Sequence, residues 1–232
     1  MEYSGSDREV SVRIDDEVTI LASLSVPPKA KGIVLFAHGS GSGRFSRRNR
    51  YVAGELQRKL LATILIDLLT QQEEGIDALT RELRFNIPLL TERVVAATNW
   101  LGHNDQTRGL KIGYFGASTG AAAALAAAAT LGERISAVVS RGGRPDLAQE
   151  NLPAVKAATL LIVGGNDPVV RGLNEKALAK LGGHKELVIV PGASHLFEEP
   201  GKLEEVAELA GKWFGKYLSE AGSDPSPTAP RH

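Results

Sequence analysis

The sequence predicts a single α/β domain: a mostly parallel central sheet entered through an antiparallel hairpin, with helices on both faces and no large cap domain. Three observations carry this. Six short β-branched runs, "GIVLFAH", "ATILIDL", "LKIGYFG", "ISAVVSR", "ATLLIVGG" and "KELVIVPG", have the unbroken apolar character of strands buried on both faces. Helical stretches lie between them. The chain has 232 residues, 43% of them hydrophobic, enough for one well-cored domain and short for two.

Taken in order, "REVSVRIDDEVTILASLSVPPKAKG" alternates apolar and polar residues on both sides of Asp15-Asp16-Glu17, as two antiparallel strands around a turn do. Helices are expected at roughly 47–60, 77–101, 118–131, 169–181 and 202–218. The alanine run in the third is strongly helix-forming and small enough to pack closely. The domain is expected to span 1–220. The Pro/Ser-rich end, "GSDPSPTAPRH" within 221–232, reads as a disordered tail.

Lys+Arg and Asp+Glu both number 27, so net charge is zero and nothing steers the molecule toward nucleic acid or an anionic membrane surface. A small-molecule partner is the expectation, with oligomeric state left open. No apolar stretch approaches the roughly 20 residues of a membrane span, and "MEYSGSDREV" lacks the regions of a secretory signal, so a cytoplasmic location is expected. With no Cys, thiolate catalysis, disulfides and cysteine metal sites are excluded. No H-E-x-x-H or close His/Asp/Glu grouping is present, and neither metal nor cofactor is expected.

The chemistry is concentrated where strands end. In parallel sheets, ligands bind outside the carboxyl ends of strands, and Gly116-Ala117-Ser118-Thr119-Gly120 occupies such a strand-to-helix turn. A strained turn projects the serine oxygen, and flanking glycines remove side chains that would collide. A serine hydroxyl needs a base, and the base needs an orienting acid. Asp167 follows "LLIVGGN" and His195 follows "LVIVPGAS", which is the order this turn requires. The plainer readings are an N-cap for Asp167, which precedes Pro168, and an ordinary loop residue for His195. His38 precedes the serine in the chain, while His103 and His184 belong to connections at the opposite sheet end. For the oxyanion, Thr119 N–H supplies one donor and the glycine-rich "HGSGSGR" the other, assigned to Ser40 N–H with Gly39 as the fallback.

Together the strand-H-G-S-G-S-G-R element, the G-A-S-T-G elbow, "GGNDPVV" and "GASHLF" resemble the α/β-hydrolase superfamily over nearly the whole chain. The cap-poor layout is similar to its dienelactone hydrolase-like branch, including the version found beside phosphoribosyltransferase domains. The resemblance implies a serine hydrolase that cleaves a carboxylic ester or lactone of a small substrate through an acyl-enzyme. The chain departs from dienelactone hydrolases proper, which use a Cys nucleophile, so their particular substrate is not carried over. The short connection "RGGRPDLAQENLPAVKAA" leaves no room for a helical lid and implies an open site. Acyl transfer by the same triad, or a non-catalytic scaffold acting as an interaction protein, are the alternatives. A dinucleotide fingerprint fails because Arg44 stands at the third glycine, and no G-K-[ST] forms a P-loop.

Arg44, Arg47, Arg48 and Arg50 surround a helix start, where cations are disfavoured. A solvated face or pairing with Glu73 and Glu74 is the plainer expectation for them. Arg141 and Arg144 follow a strand at the active edge. If Arg141 or Arg44 contacts substrate, a carboxylate or phosphate is expected, because a guanidinium matches those oxygens in bidentate fashion.

Overall fold

The computed structural model describes residues 7–219, so the expected tail at 221–232 lies outside the described residues. The hairpin forms from β1 (Arg8–Arg13) and β2 (Thr19–Ser25), which pair antiparallel. Its turn is closed by Asp15, whose Oδ1 accepts the N–H groups of Glu17 and Val18, both at 2.8 Å. The buried apolar runs become β3 (Ile33–Ala37), β4 (Ala62–Ile66), β5 (Ile112–Ala117), β6 (Ile135–Arg141), β7 (Ala158–Gly164) and β8 (Lys185–Val190). The eight strands form one sheet in the order β1-β2-β4-β3-β5-β6-β7-β8. Only the hairpin joins antiparallel, and β3 to β8 run parallel.

Because side chains alternate along a strand, each parallel strand feeds two cores. Val34, Phe36, Phe115, Val139 and Ile162 face α1 (Arg47–Arg58) and α6 (Lys202–Leu218). Leu35, Ile64, Tyr114, Val138 and Leu161 face the opposite layer, which contains α3 (Ile87–His103), α4 (Thr119–Leu131) and α5 (Pro168–Lys180). Among the described residues, no helix is long and apolar enough to cross a membrane.

The single helix expected at 77–101 is instead two. The first, α2 (Gln71–Thr80), opens with a capping box between Thr70 and Glu73 and ends at Arg81, a left-handed residue with φ 60°. A short 3-10 turn at Leu83–Phe85 follows, and Asn86 caps α3 by accepting the Leu89 N–H at 3.1 Å. Pro88 explains the break: proline suits the first turn of a new helix and disrupts the interior of a continuous one. The corner is clamped by buried Asp77, which accepts from the Arg84 backbone N–H at 3.0 Å and its Nε at 2.6 Å.

The alanine run matters for position. Ala121, Ala122, Ala123 and Ala124 are all completely buried, and α4 lies against both the sheet and α3. Larger side chains would hold the helix away from β5 and move the turn that precedes it. Ala123→Leu is therefore expected to lower unfolding free energy by about 1–3 kcal/mol, measured by urea denaturation; an unchanged midpoint would show that the contact is loose.

Candidate active site

Ser118, Asp167 and His195 each follow the carboxyl end of a strand, β5, β7 and β8 respectively. Ser118 has φ 50° and ψ −121°, a conformation that costs a non-glycine residue on the order of 1–3 kcal/mol. Its neighbours hold it there. The Ser118 N–H donates to the Arg141 carbonyl at 3.3 Å, and its own carbonyl accepts from Ala121 N–H and Arg144 N–H, each at 3.1 Å. The flanking glycines are steric necessities. A Cβ on Gly116 would overlap the Cα of Ala121, and one on Gly120 would overlap the carbonyl oxygens of Ala37 and His38. Although Ser118 occupies the N-cap position of α4, its side chain does not cap the helix.

Asp167 serves two partners, one per oxygen. Oδ1 accepts the Val170 N–H at 3.3 Å and caps α5, while Oδ2 lies 2.7 Å from His195 Nδ1. The cap and the histidine contact, which the sequence poses as alternatives, coexist. The carboxylate is largely buried and the imidazole is partly open to solvent. The His195 loop is fixed from both sides. Glu199 receives the Ser194 N–H on both oxygens at 3.1 Å, and hydrogen bonding from Ser194 holds that carboxyl below its ordinary range. Gly142, with φ 52°, runs along the ring: a Cβ there would sit 3.4 Å from His195 Nδ1 and Cε1.

The glycine-rich loop after β3 meets the serine turn. A Cβ on Gly39 would lie 3.1 Å from the Ser118 Cβ, and Ser40 Oγ is 3.0 Å from Thr119 Oγ1. Thr119 opens α4, so its N–H has no acceptor within the helix. His38, set aside on sequence order, proves to hold this loop. Its Nε2 lies 3.0 Å from the Leu68 N–H, which can only donate, so Nδ1 carries the proton and donates to the Gly39 carbonyl at 2.9 Å. Burial pushes the His38 pKa down, in keeping with a neutral ring. The strand-His-Gly sequence was the available signal. Beside the loop opens a cleft of about 860 Å³, bounded by Gly39, Ser40, Thr119, Arg44, Glu74 and Arg84. Partial burial, with Asp67 nearby, raises the Glu74 carboxyl above its usual range.

The arginines find partners other than those expected. Arg44 is buried, with Nη1 at 3.2 Å from Asp67 and Nη2 at 2.6 Å from Glu9, so its terminal nitrogens are committed to carboxylates. Arg48 pairs with Glu198 at 2.6 Å and Arg50 with Asp7 at 3.6 Å. Glu73 instead pairs with Arg93 at 2.8 Å, because its capping box turns it toward α3 and away from α1. Arg144 grips Asp146 with two bonds of 2.8 and 2.7 Å. Arg141 is buried and reaches only the Leu196 carbonyl, at 3.5 Å.

Comparison with known proteins places these features in context. The family model described as the dienelactone hydrolase family matches residues 21–218. A Mycobacterium tuberculosis protein named provisionally as a phosphoribosyl transferase is 53% identical over 216 residues, 93% of this chain and 48% of its own length. The chain thus spans about half the length of the curated relatives it matches. The crystal structure of dienelactone hydrolase from Anabaena variabilis is 62% identical with a TM-score of 0.90, covering 92% of this chain and 98% of that one. Est1E from Butyrivibrio proteoclasticus shares the fold, at a TM-score of 0.76 and 15% identity, over 90% of this chain and 98% of its own.

His38 makes a pH-dependent contribution. Unfolded histidine titrates near its ordinary 6.5 and folded His38 below it, so on acidification the unfolded chain takes up the proton first. The contribution is complete above about pH 6.5 and is lost progressively below it. In urea denaturation, the advantage of the parent protein over His38→Gln is expected to be larger at pH 8 than at pH 5; equal gaps would mean that His38 is not held neutral.

Proposed function

The chain belongs to the dienelactone hydrolase family, and from that premise we propose that it is a serine esterase acting on a carboxylic ester or lactone of a small substrate. The observation that carries the reading is the 2.7 Å contact between His195 Nδ1 and Asp167 Oδ2, together with the strained Ser118 turn. In the mechanism, Ser118 Oγ attacks the acyl carbon as His195 Nε2 takes its proton. The C–O bond to the alcohol breaks, and His195 returns the proton to the departing oxygen. Water, activated by the same imidazole, then attacks the acyl-enzyme and releases the acid.

Asp167 holds the tautomer in which Nδ1 carries hydrogen and Nε2 is free to accept, and it stabilises the imidazolium that forms. The negative oxygen of the tetrahedral intermediate is received by the N–H groups of Thr119 and Ser40. Two features support this pairing: the first turn of α4 leaves the Thr119 N–H without an intrahelical acceptor, and the hydroxyls of the two residues are 3.0 Å apart. Small substrates suit an approach free of a helical lid. Between β6 and β7 the chain forms only 3-10 turns, Pro145–Ala148 and Leu152–Ala154.

A fluorophosphonate is expected to place a single adduct on Ser118, located by peptide mass spectrometry, and Ser118→Ala is expected to abolish both the adduct and p-nitrophenyl acetate turnover. A folded protein that takes no adduct would favour a non-catalytic scaffold. Asp167→Asn separates the two duties of that side chain. Asparagine caps helices as well as aspartate does, so thermal stability is expected to change little. The turnover number should fall by about three to four orders of magnitude, because the tautomer is no longer held. Retention of the parent rate would mean that another acid orients His195.

A further inference from the structure

The cleft of about 860 Å³ beside Ser40 has the size of a small-molecule site, and its lining places it relative to the reaction. Every residue on its wall belongs to the stretch 19–90 or is Thr119, and none comes from the loops after β6, β7 and β8. It therefore lies on the Ser40 side of the serine turn, away from the loop that carries His195. In the esterase mechanism, the leaving oxygen takes its proton from His195 and the carbonyl oxygen faces the Thr119 and Ser40 N–H groups. With those two substituents of the tetrahedral carbon placed, the acyl chain is the one left to enter the cleft.

The walls set what that chain can be. Leu68, Leu69 and Leu90 are buried in the lining, while Leu21 and Phe45 are 40% and 64% exposed, so an apolar stem has surface to cover. The two arginines on the wall are already committed. Arg44 pairs with Asp67 and Glu9, and Arg84 donates from Nε to Asp77 Oδ2 at 2.6 Å and from Nη2 to the Asp77 carbonyl at 3.1 Å. Glu74 differs from these acids. Gln71, Glu74 and Ala78 share one face of α2 by their three- and four-residue spacing, and all three line the cleft. Among the described residues, the Glu74 carboxylate has no ionic or hydrogen-bonding partner. Desolvation, with Asp67 nearby, holds it above its usual range, a field that a bound cation relieves and an anion worsens.

We propose that this cleft is the acyl pocket and that Glu74 is its specificity-determining residue, favouring an acyl chain with an apolar stem and a cationic end and rejecting one that ends in a carboxylate. The assignment to the acyl chain rests on the esterase reading, whereas the preference of the cleft for a cation does not. The kinetic test compares kcat/KM for the p-nitrophenyl esters of γ-(trimethylammonio)butyrate, butyrate and hydrogen succinate in the parent protein and in Glu74→Gln, which keeps the side-chain size. The parent is expected to rank them cationic, neutral, anionic, and the cationic-to-anionic ratio is expected to fall about tenfold in Glu74→Gln. Because Glu74 is exposed, the parent's ratio is also expected to shrink in about 1 M sodium chloride. Butyrylcholine carries its cation on the alcohol, and its turnover is expected not to depend on Glu74.

Binding is read separately, by calorimetric titration of butyltrimethylammonium into both proteins. The cation is expected to bind the parent and to bind Glu74→Gln several-fold more weakly. Cation binding that depends on Glu74 without turnover of any ester would remove the esterase reading, and the acyl assignment with it, while the cation site stands. Equal ester ratios in parent and variant, a parent that prefers the succinate ester, butyrylcholine turnover that depends on Glu74, or a cation that binds both proteins alike or neither would overturn the proposal.

Discussion

The site depends on how closely the start of α4 approaches the end of β3. Gly120 lies so near the carbonyls of Ala37 and His38 that no side chain fits, and Gly116 meets Ala121 in the same way. That approach forces the intervening Ser118 into its positive φ and sets Thr119 against Ser40. The alanine surface of α4 extends the same constraint down the helix, since each Cβ is a spacer between the helix and its neighbours. A serine with an unspent side chain, a free helix-terminal N–H and a glycine-rich loop come together because two backbones are nearly in contact.

The end of β6 carries the second set of constraints. Residues 141–144 bond the Ser118 backbone in both directions, line the His195 ring through Gly142 and reach the residue after it through Arg141. α5 braces this strap from behind, with Asn174 donating to the Gly143 carbonyl at 2.9 Å. Ser118 and His195 are thus tied to one strand terminus as well as held through their own loops. Asp167 follows the same economy, because the oxygen that caps α5 also fixes the direction of the one that meets His195.

Much of this was legible in the sequence, for local reasons. The parallel strands declare themselves as β-branched runs, the hairpin by its alternation about Asp15, and the strand-end placement of the candidate residues Ser118, Asp167 and His195 by the runs that precede them. What escaped depends on distant neighbours. Pro88 marks the start of α3 in the sequence, but the left-handed Arg81 and the Asp77 clamp that end α2 and turn the chain are visible only in the structure. Arg44 finds Glu9, 35 positions away, and Arg48 finds Glu198, 150 positions away, pairings that spacing along the chain does not encode. His38 looked surplus because it stands before the serine. Its task is to hold a backbone loop, which makes chain order irrelevant.

The charges around Ser118 also form a pattern that a net charge of zero conceals. On the cleft side, Arg44 and Arg84 stand against Asp67, Glu9, Asp77 and Glu74, two more acidic side chains than basic ones. On the His195 side, Arg48 pairs with Glu198 and Arg141 is buried without an ionic partner, while the carboxylates of Asp167 and Glu199 are taken up by His195 and the Ser194 N–H.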